Sequence, residues 1–192
     1  MLPLSDLNEK YGIPIIFYNQ IGSGRSTHLR EDTTFWTFDL YIQELDNLVE
    51  QLNLRDRGFC LVGQSWGGTF GASYASRQPR GLKKLIISGG PASIPLLVKG
   101  FEGLIAALPP DVRDTLEDCN KRGDYGSHEF EKAAAVFYAR HVCRLDPQPP
   151  EVQTAFKNLK DDPTAYLTWE RSASVSYRIN LTSYLGKAHL SF

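Results

Sequence analysis

The sequence is poor in cysteine, in net charge and in long apolar runs. Its three cysteines, Cys60, Cys119 and Cys143, are odd in number and widely spaced, which indicates neither a disulfide framework nor a zinc site. A net charge of -1 gives no electrostatic reason to expect nucleic acid or an acidic membrane as a partner. No stretch is long enough to span a membrane, and the first residues lack a basic-then-apolar signal, so a soluble, cytoplasmic protein is expected.

What is present suits one domain with a real core, because 42% of the 192 residues are hydrophobic and 22% are charged. The most informative stretch runs from Gly58 to Gln78. Phe59 to Val62 form a short apolar run bounded by glycines, which is typical of a strand buried on both faces. The segment Gly63-Gln64-Ser65-Trp66-Gly67 follows and fits the pattern Gly-x-Ser-x-Gly. Aromatic and small residues then predict a helix that Pro79 ends.

A strand, a sharp turn and a helix are what a nucleophile elbow requires. The turn is strained, so that the serine oxygen projects out of the sheet, and we expect glycines beside it because side chains there would collide with the neighbouring strand and helix. Ser65 is therefore the candidate nucleophile. The backbone N–H of Trp66, at the start of the helix, is the candidate oxyanion donor. The alternative is a chance match to the pattern in a glycine-rich turn.

Strands and helices alternate in the first half of the sequence. Two further strands are predicted: Ile13–Tyr18 precedes the strand Phe59–Val62 in sequence, and Leu82–Ser88 follows it. An amphipathic helix is predicted between Phe38 and Leu52. This alternation predicts an α/β fold with a parallel sheet whose reactive groups lie at the carboxyl ends of its strands. Both Ser65 and the loop Gly22–Ser26 fall at such ends.

From Ile94 onward the sequence predicts helices without strands, which indicates a lid inserted over the active end of the sheet. We expect a partial hydrolase-like core over residues 1–93, a helical lid over 94–170, and a tail over 171–192 whose structure the sequence does not define. The predicted lid helices are Leu96–Leu108, Pro110–Asn120, Ser127–Arg144, Pro150–Lys160 and Thr164–Glu170.

These features together resemble the proline iminopeptidases and L-amino acid amidases of the α/β-hydrolase fold, in their fungal form. The resemblance covers nearly all of residues 2–168, and its most specific elements are the loop YNQIGSGRS over residues 18–26 and GQSWGG over 63–68. It implies that Ser65 is acylated, that the Trp66 N–H supplies half of the oxyanion hole, and that an N-terminal residue, often proline, is released from small peptides or amides. A lid carboxylate commonly holds the substrate amine in this family, and Glu170 is one candidate for it.

The sequence departs from the family pattern in three places. The His-Gly-Gly-Pro-Gly turn that supplies the other oxyanion donor would precede Leu2. Asn19 occupies a loop position that is usually aspartate. The family places its catalytic acid and histidine after the lid, in the order Ser, Asp, His, where this sequence no longer resembles it. The chain therefore resembles an incomplete copy of such an enzyme.

Four histidines are candidate bases for Ser65. His28 follows the first predicted strand and His189 lies in the tail, whereas His128 and His141 are interpreted as surface residues of lid helices. Asp146 precedes a proline and is interpreted as a turn residue, and glycines occupy the position after the third predicted strand where some hydrolases carry the acid. No triad can be assembled from these residues.

The leading hypothesis is a serine hydrolase that acts on a small peptide or amino-acid amide through Ser65, with no metal or cofactor and with no nucleic acid or membrane as partner. Its oligomeric state is left open. We expect the 192-residue chain alone to be nearly inactive, because triad partners are missing. The alternatives are an esterase or lipase of the same fold, and a non-catalytic hydrolase-like module or fragment.

Overall fold

A computed structural model describes residues 2–29, 35–162 and 164–165. A short 3-10 helix, Leu2–Ser5, begins the chain and continues into the first α-helix. The α-helices and strands then follow in the order α1 (Asp6–Tyr11), α2 (Phe38–Gln51), α3 (Leu54–Arg57), β1 (Phe59–Gln64), α4 (Trp66–Ser76), β2 (Leu82–Ser88), α5 (Ile94–Ala106), α6 (Pro110–Arg122), α7 (His128–His141) and α8 (Pro150–Asp161).

The strands β1 and β2 pair in parallel, with Cys60 opposite Lys84 and Gln64 opposite Ser88. A parallel pair needs a crossover connection, which α4 supplies while packing on the sheet. Both strands therefore end at the same edge, where the backbone N–H of Ser65 donates to the carbonyl oxygen of Ser88 at 2.9 Å. The predicted parallel α/β arrangement and the strand–turn–helix order around Ser65 are confirmed.

The prediction of a strand over Ile13–Tyr18 is wrong in this structure. Residues 12–20 have no regular secondary structure, and the side chains of Ile13, Ile16 and Phe17 are exposed. The β-branched and aromatic composition is typical of a strand, but composition alone does not supply a hydrogen-bonded neighbour. Among the described residues, only β1 and β2 pair with each other.

The strand β1 is not buried on both faces, contrary to the prediction. Leu61 and Gly63 lie on its packed face, where Leu61 and Leu85 of β2 contact Gly71 of α4. Cys60 and Val62 point the other way and are exposed. A short apolar run occurs both in strands covered on two faces and in strands covered on one face. The run alone therefore did not distinguish these two cases.

The described residues form two hydrophobic cores, and Ala165 is the one buried member of the first core that follows Ile94 in sequence. The first joins α2, α4 and the approach to α2, and it confirms the predicted apolar face of α2. Its buried members are Trp36, Tyr41, Ile42, Leu45, Val49, Phe70, Tyr74 and Ala165. The second lies within the helical segment formed by α5 to α8, and its buried members are Leu108, Leu116, Cys119, Tyr125, Phe130, Ala133, Ala134, Phe137 and Tyr138.

The four complete predicted lid helices are confirmed, with ends that shift by up to three residues. Ser127 caps α7 by accepting from the Phe130 N–H at 3.3 Å, and Gly123 ends α6 in the left-handed region. The predicted helix Thr164–Glu170 lies outside the described residues except for its first two, and the tail 171–192 lies wholly outside them. Within the described part of the chain, no helix is long and apolar enough to cross a membrane.

Candidate active site

The backbone of Ser65 is strained. Its φ of 51° and ψ of -116° lie in a backbone region that residues other than glycine rarely adopt. Ser65 occupies this region at the junction of β1 and α4. Such a conformation costs about 1–3 kcal/mol and persists where the surrounding structure enforces it. The side chain of Ser65 is exposed and makes no hydrogen bond to a described residue. A hydroxyl held in this way is accessible to a substrate.

Close backbone packing enforces this turn, but not at both glycines of the sequence pattern. A Cβ atom on Gly63 would lie 2.0 Å from the Gly67 carbonyl oxygen, and one on Gly68 would lie 2.9 Å from the Gly90 Cα. A Cβ atom on Gly67 would meet nothing within 4 Å. The expectation that both flanking positions exclude side chains is therefore correct for Gly63 and wrong for Gly67, whose role Gly68 takes, because α4 approaches β2 one residue later.

Hydrogen bonds fix the start of α4 against the end of β2. The Ser65 carbonyl accepts from the N–H groups of Gly68 and Thr69, at 2.9 and 3.1 Å. The Thr69 hydroxyl donates to the Pro91 carbonyl at 2.9 Å. The helix thus begins immediately after Ser65, and the N–H groups of Trp66 and Gly67, which precede these two bonds, have no intrahelical acceptor.

Trp66 is the first residue of α4, and its indole is held by aromatic and polar contacts. Phe38 and Tyr41 meet the ring edge-on, with centroids 5.5 and 5.7 Å away, and Phe70 stacks at 6.0 Å. The indole Nε1 donates to Gln20 Oε1 at 3.0 Å. These contacts fix the residue whose backbone N–H is the candidate oxyanion donor.

Gln20 belongs to the glycine-rich loop, residues 19–29, which is closed tightly on itself. The Gly22 N–H donates to the Thr27 carbonyl at 2.8 Å, and the Ser26 hydroxyl donates to the Asn19 carbonyl at 2.6 Å. Gly24, at φ 57°, leaves no room for a Cβ atom, which would lie 2.0 Å from Asn19 Nδ2. Asn19, where the family usually has aspartate, therefore places its side-chain amide directly against Gly24 while it remains exposed.

Glu44 of α2 anchors the same loop from the other side. Its Oε1 accepts from the Ile21 N–H at 2.8 Å. Burial raises the pKa of the Glu44 carboxyl, and the hydrogen bond from Ile21 offsets part of that rise. The carboxylate is thus a structural anchor behind the loop.

His28 contacts Asp162 and its own loop rather than Ser65. Its Nδ1 lies 2.5 Å from Asp162 Oδ2, and its Nε2 lies 3.1 Å from the Gly24 carbonyl oxygen. Burial pushes the Asp162 pKa up, but hydrogen bonds from Thr164 and the contact with His28 outweigh it, so this pKa lies below its usual value. With both ring nitrogens engaged by acceptors, His28 is not placed to take a proton from Ser65.

The other candidate bases and acids lie elsewhere. His128 and His141 are the exposed first and last residues of α7, as predicted, and His141 packs on Phe137 with ring centroids 5.0 Å apart. Asp146 is exposed in the connection between α7 and α8. His189 and Glu170 lie outside the described residues. Within the described ranges, no histidine is hydrogen-bonded to Ser65.

One cluster in the helical segment has the donor atoms of a metal site. The ligand atoms of Cys119, Asp124 and Glu129 lie within 4.8 Å of one another. However, the Arg122 guanidinium bonds Glu129 at 2.5 Å and the Cys119 sulfur at 3.5 Å. Because the Arg122 cation already occupies two of the three ligand groups, the cluster is interpreted as an ion pair over a buried thiol.

Sequence reasoning missed Gln20, Glu44 and Asp162 as contributors to this region. Gln20 lay within the loop motif, but nothing in its spacing indicated a contact with the indole of Trp66. Glu44 lies among the polar residues of α2, which an amphipathic pattern predicts to face away from the core. Asp162 carried no sequence signal, since its partner His28 lies 134 residues away.

A serine at positive φ between a parallel strand and a small-residue helix defines the class of α/β hydrolases. A family model described as alpha/beta hydrolase fold matches residues 4–184, and the chain belongs to this family.

Named relatives narrow the similarity to proline iminopeptidases, as the sequence resemblance predicted. The chain is 38% identical to a proline iminopeptidase of Thermoplasma volcanium over 79% of its own length and 50% of the relative. It is 35% identical to one of Saccharolobus solfataricus over 82% of its length and 50% of the relative. The chain thus spans about half the length of the curated relatives it matches.

Solved structures agree with this similarity. The crystal structure of VinJ aligns with a TM-score of 0.82 and 40% identity, over 86% of this chain and 55% of that one. The proline iminopeptidase of Mycobacterium smegmatis aligns with a TM-score of 0.70 and 37% identity, over 77% and 49%. The likeness therefore extends to sequence as well as fold.

Proposed function

We propose that this chain carries the nucleophile of a serine hydrolase that releases N-terminal residues from small peptides or amino-acid amides. The observation that supports this most is the backbone of Ser65, with φ 51° and ψ -116°, at an exposed strand-to-helix turn. The names of the relatives favour proline as the released residue. Three free cysteines fit a reducing compartment, and we expect a cytoplasmic location.

The proposed reaction is acyl transfer. The Ser65 Oγ attacks the amide carbonyl carbon as a base takes its proton, and the developing oxyanion is held by the Trp66 N–H at the start of α4. The carbon–nitrogen bond then breaks, the amine leaves with that proton, and the acyl group remains on Ser65. Water attacks the ester and releases the acid, which restores the hydroxyl.

A specific observation favours a competing function, that of a non-catalytic hydrolase-like module. Both ring nitrogens of His28 face acceptors other than Ser65, and within the described residues no other histidine reaches that hydroxyl. Loss of a triad base costs roughly six orders of magnitude in turnover. We therefore propose that the 192-residue chain by itself is nearly inactive while its elbow remains intact.

A fluorophosphonate probe distinguishes the two functions, because it reacts with an activated serine and leaves a mass tag on it. We expect slow labelling of the peptide that contains Ser65 after prolonged incubation at high probe concentration, and none in Ser65→Ala. Labelling of Ser73 or Ser76 in its place would contradict the assignment, since both lie on α4 beyond the turn. Complete absence of labelling would favour the non-catalytic module.

Hydrolysis assays then address the substrate class. A proline arylamide and a series of acyl esters are compared on the wild-type chain and on Ser65→Ala. Slow hydrolysis of the arylamide that Ser65→Ala abolishes supports the aminopeptidase, whereas a preference for acyl esters favours an esterase. Fast, Ser65-dependent turnover would contradict the proposed low activity of this chain.

A further inference from the structure

We propose that His28 and Asp162 form a pH-sensitive clamp that holds the end of the helical segment against the glycine-rich loop. Asp162 is the residue that directly follows α8, and His28 lies in the loop 134 residues earlier. The contact therefore links α8, whose Phe156 packs on the second core, to the loop, whose Ile21 packs on the first core.

The hydrogen-bonding partners of His28 define its charge. A carboxylate oxygen faces Nδ1 and a backbone carbonyl oxygen faces Nε2. Both partners are acceptors, and a neutral imidazole has a single N–H to donate. Only the imidazolium donates to both, so loss of its proton leaves one lone pair facing an acceptor.

The hydrogen bonds around Asp162 keep its carboxylate charged. Its side chain is only 3% exposed, and its Oδ1 accepts from the Thr164 N–H at 3.0 Å while Oδ2 faces His28. These hydrogen bonds keep its pKa low in spite of burial. A buried carboxylate loses stabilisation when a cation in contact with it loses its charge.

The clamp closes over a tightly packed contact. A Cβ atom on Gly22 of the loop would lie 2.5 Å from the Trp36 ring and 2.8 Å from the Ala165 Cβ, so these three residues touch directly. Trp36 is 4% exposed and Ala165 is 9% exposed. Opening the clamp would separate Ala165 from the loop and expose Trp36 to water.

Other charged groups near the loop do not replace Asp162 as partner of His28. Arg25 lies three residues earlier and is exposed, and Glu44 bonds the Ile21 N–H on the α2 side of the loop. Arg30, Glu31 and Asp32 follow in sequence and lie outside the described residues. Because the contact stabilises the charged forms of both residues, the clamp holds while His28 is protonated and weakens as pH rises and the imidazolium loses its proton.

Nuclear magnetic resonance titration of the histidine ring protons of the full 192-residue chain tests the charge. Loss of one signal in His28→Gln identifies His28, and His128→Gln and His141→Gln identify two exposed references. We expect His28 to titrate at higher pH than these references, because both of its ring nitrogens face acceptors. In Asp162→Asn the difference should disappear. Equal titration of His28, His128 and His141 in the wild-type chain would overturn the proposal, even if Asp162→Asn fails to fold.

Amide hydrogen exchange tests the opening. After correction for the intrinsic pH dependence, peptides that cover the end of α8 and the glycine-rich loop should exchange faster above the His28 transition than below it, because the clamp that protects them is then weaker. His28→Gln should exchange at a rate that does not change with pH, and His128→Gln should behave as wild type. A wild-type chain without a pH-dependent change in these peptides would contradict the clamp.

Discussion

The side-chain carbonyl oxygen of Gln20 accepts a hydrogen bond from the indole of Trp66 at 3.0 Å, across 46 positions of sequence. Trp66 follows Ser65 directly, so this bond connects the glycine-rich loop to the turn that carries the candidate nucleophile. The loop is itself held by Glu44 through the Ile21 N–H. The position of the turn thus depends on residues that never contact Ser65.

Replacement of Gln20 by methionine removes this acceptor while it keeps a side chain of similar length. We expect the free energy of unfolding to fall by about 1–3 kcal/mol, because the Trp66 N–H is left without its acceptor. A double-mutant cycle with Trp66→Phe isolates the pair in urea denaturation, and we expect a coupling energy of about 1 kcal/mol. A coupling energy near zero would mean that this hydrogen bond does not hold the turn.

Gly63 and Gly67 should respond oppositely to alanine. In Gly63→Ala the new methyl group meets the Gly67 carbonyl oxygen at 2.0 Å, a contact that backbone atoms cannot relieve without moving the turn. We expect a loss of about 3 kcal/mol or more in unfolding free energy. Gly67→Ala is the matched control, since its methyl group meets nothing within 4 Å on a helix and should stabilise by about 0.5–1 kcal/mol. Equal losses in both variants would contradict this account.

Local sequence patterns predicted the part of the fold that local interactions determine. The apolar stripe of α2, the bounds of β2 and the serine turn each depend on residues adjacent in sequence or one helical turn apart. The family resemblance, which depends on the motif around Ser65, was confirmed for the same reason. Strand, turn and helix in succession form a unit whose geometry its own residues enforce.

Long-range contacts could not be predicted from those patterns. Ile13–Tyr18 has the composition of a strand but has no regular structure, because pairing depends on a neighbouring strand rather than on composition. The contact of His28 with Asp162 joins two ordinary polar residues whose proximity only the folded chain creates. The same holds for Gln20 and Trp66, so the surroundings of the candidate site were less predictable than its turn.

Glycine in place of Ser65 should stabilise the chain. Glycine adopts φ of 51° without the steric cost that serine has there. We expect unfolding free energy to rise by about 1 kcal/mol in Ser65→Gly relative to Ser65→Ala, which keeps the strain. Ser73→Gly, in the middle of α4, is the control and should lose about 1 kcal/mol. Equal stability of the two Ser65 variants would show that the turn stores no strain.

Alkaline pH should weaken the first core through Tyr74. Its hydroxyl donates to Asp46 Oδ1 at 2.9 Å, and Arg55 bonds the same oxygen at 2.8 Å. Burial, followed by the hydrogen bond and charge of Asp46, raises the pKa of Tyr74 to about 12. The folded chain therefore binds the phenolic proton more tightly than the unfolded chain, whose tyrosines titrate near 10. The stabilisation is complete below about pH 10 and is lost as pH rises toward 12.

Urea denaturation across this alkaline range measures the effect against Tyr74→Phe, which keeps the ring but has no proton to lose. Near neutral pH the variant should be less stable by about 1 kcal/mol, because the hydrogen bond to Asp46 is missing. Above about pH 10 the wild-type chain should lose stability more steeply with pH than the variant, so that their difference narrows. Burial and then the charge of Glu44 also raise the pKa values of Tyr41 and Tyr18. Both residues remain in the two proteins and contribute to the slope that the curves share. Parallel curves over the whole range would show that Tyr74 keeps an ordinary pKa in the fold.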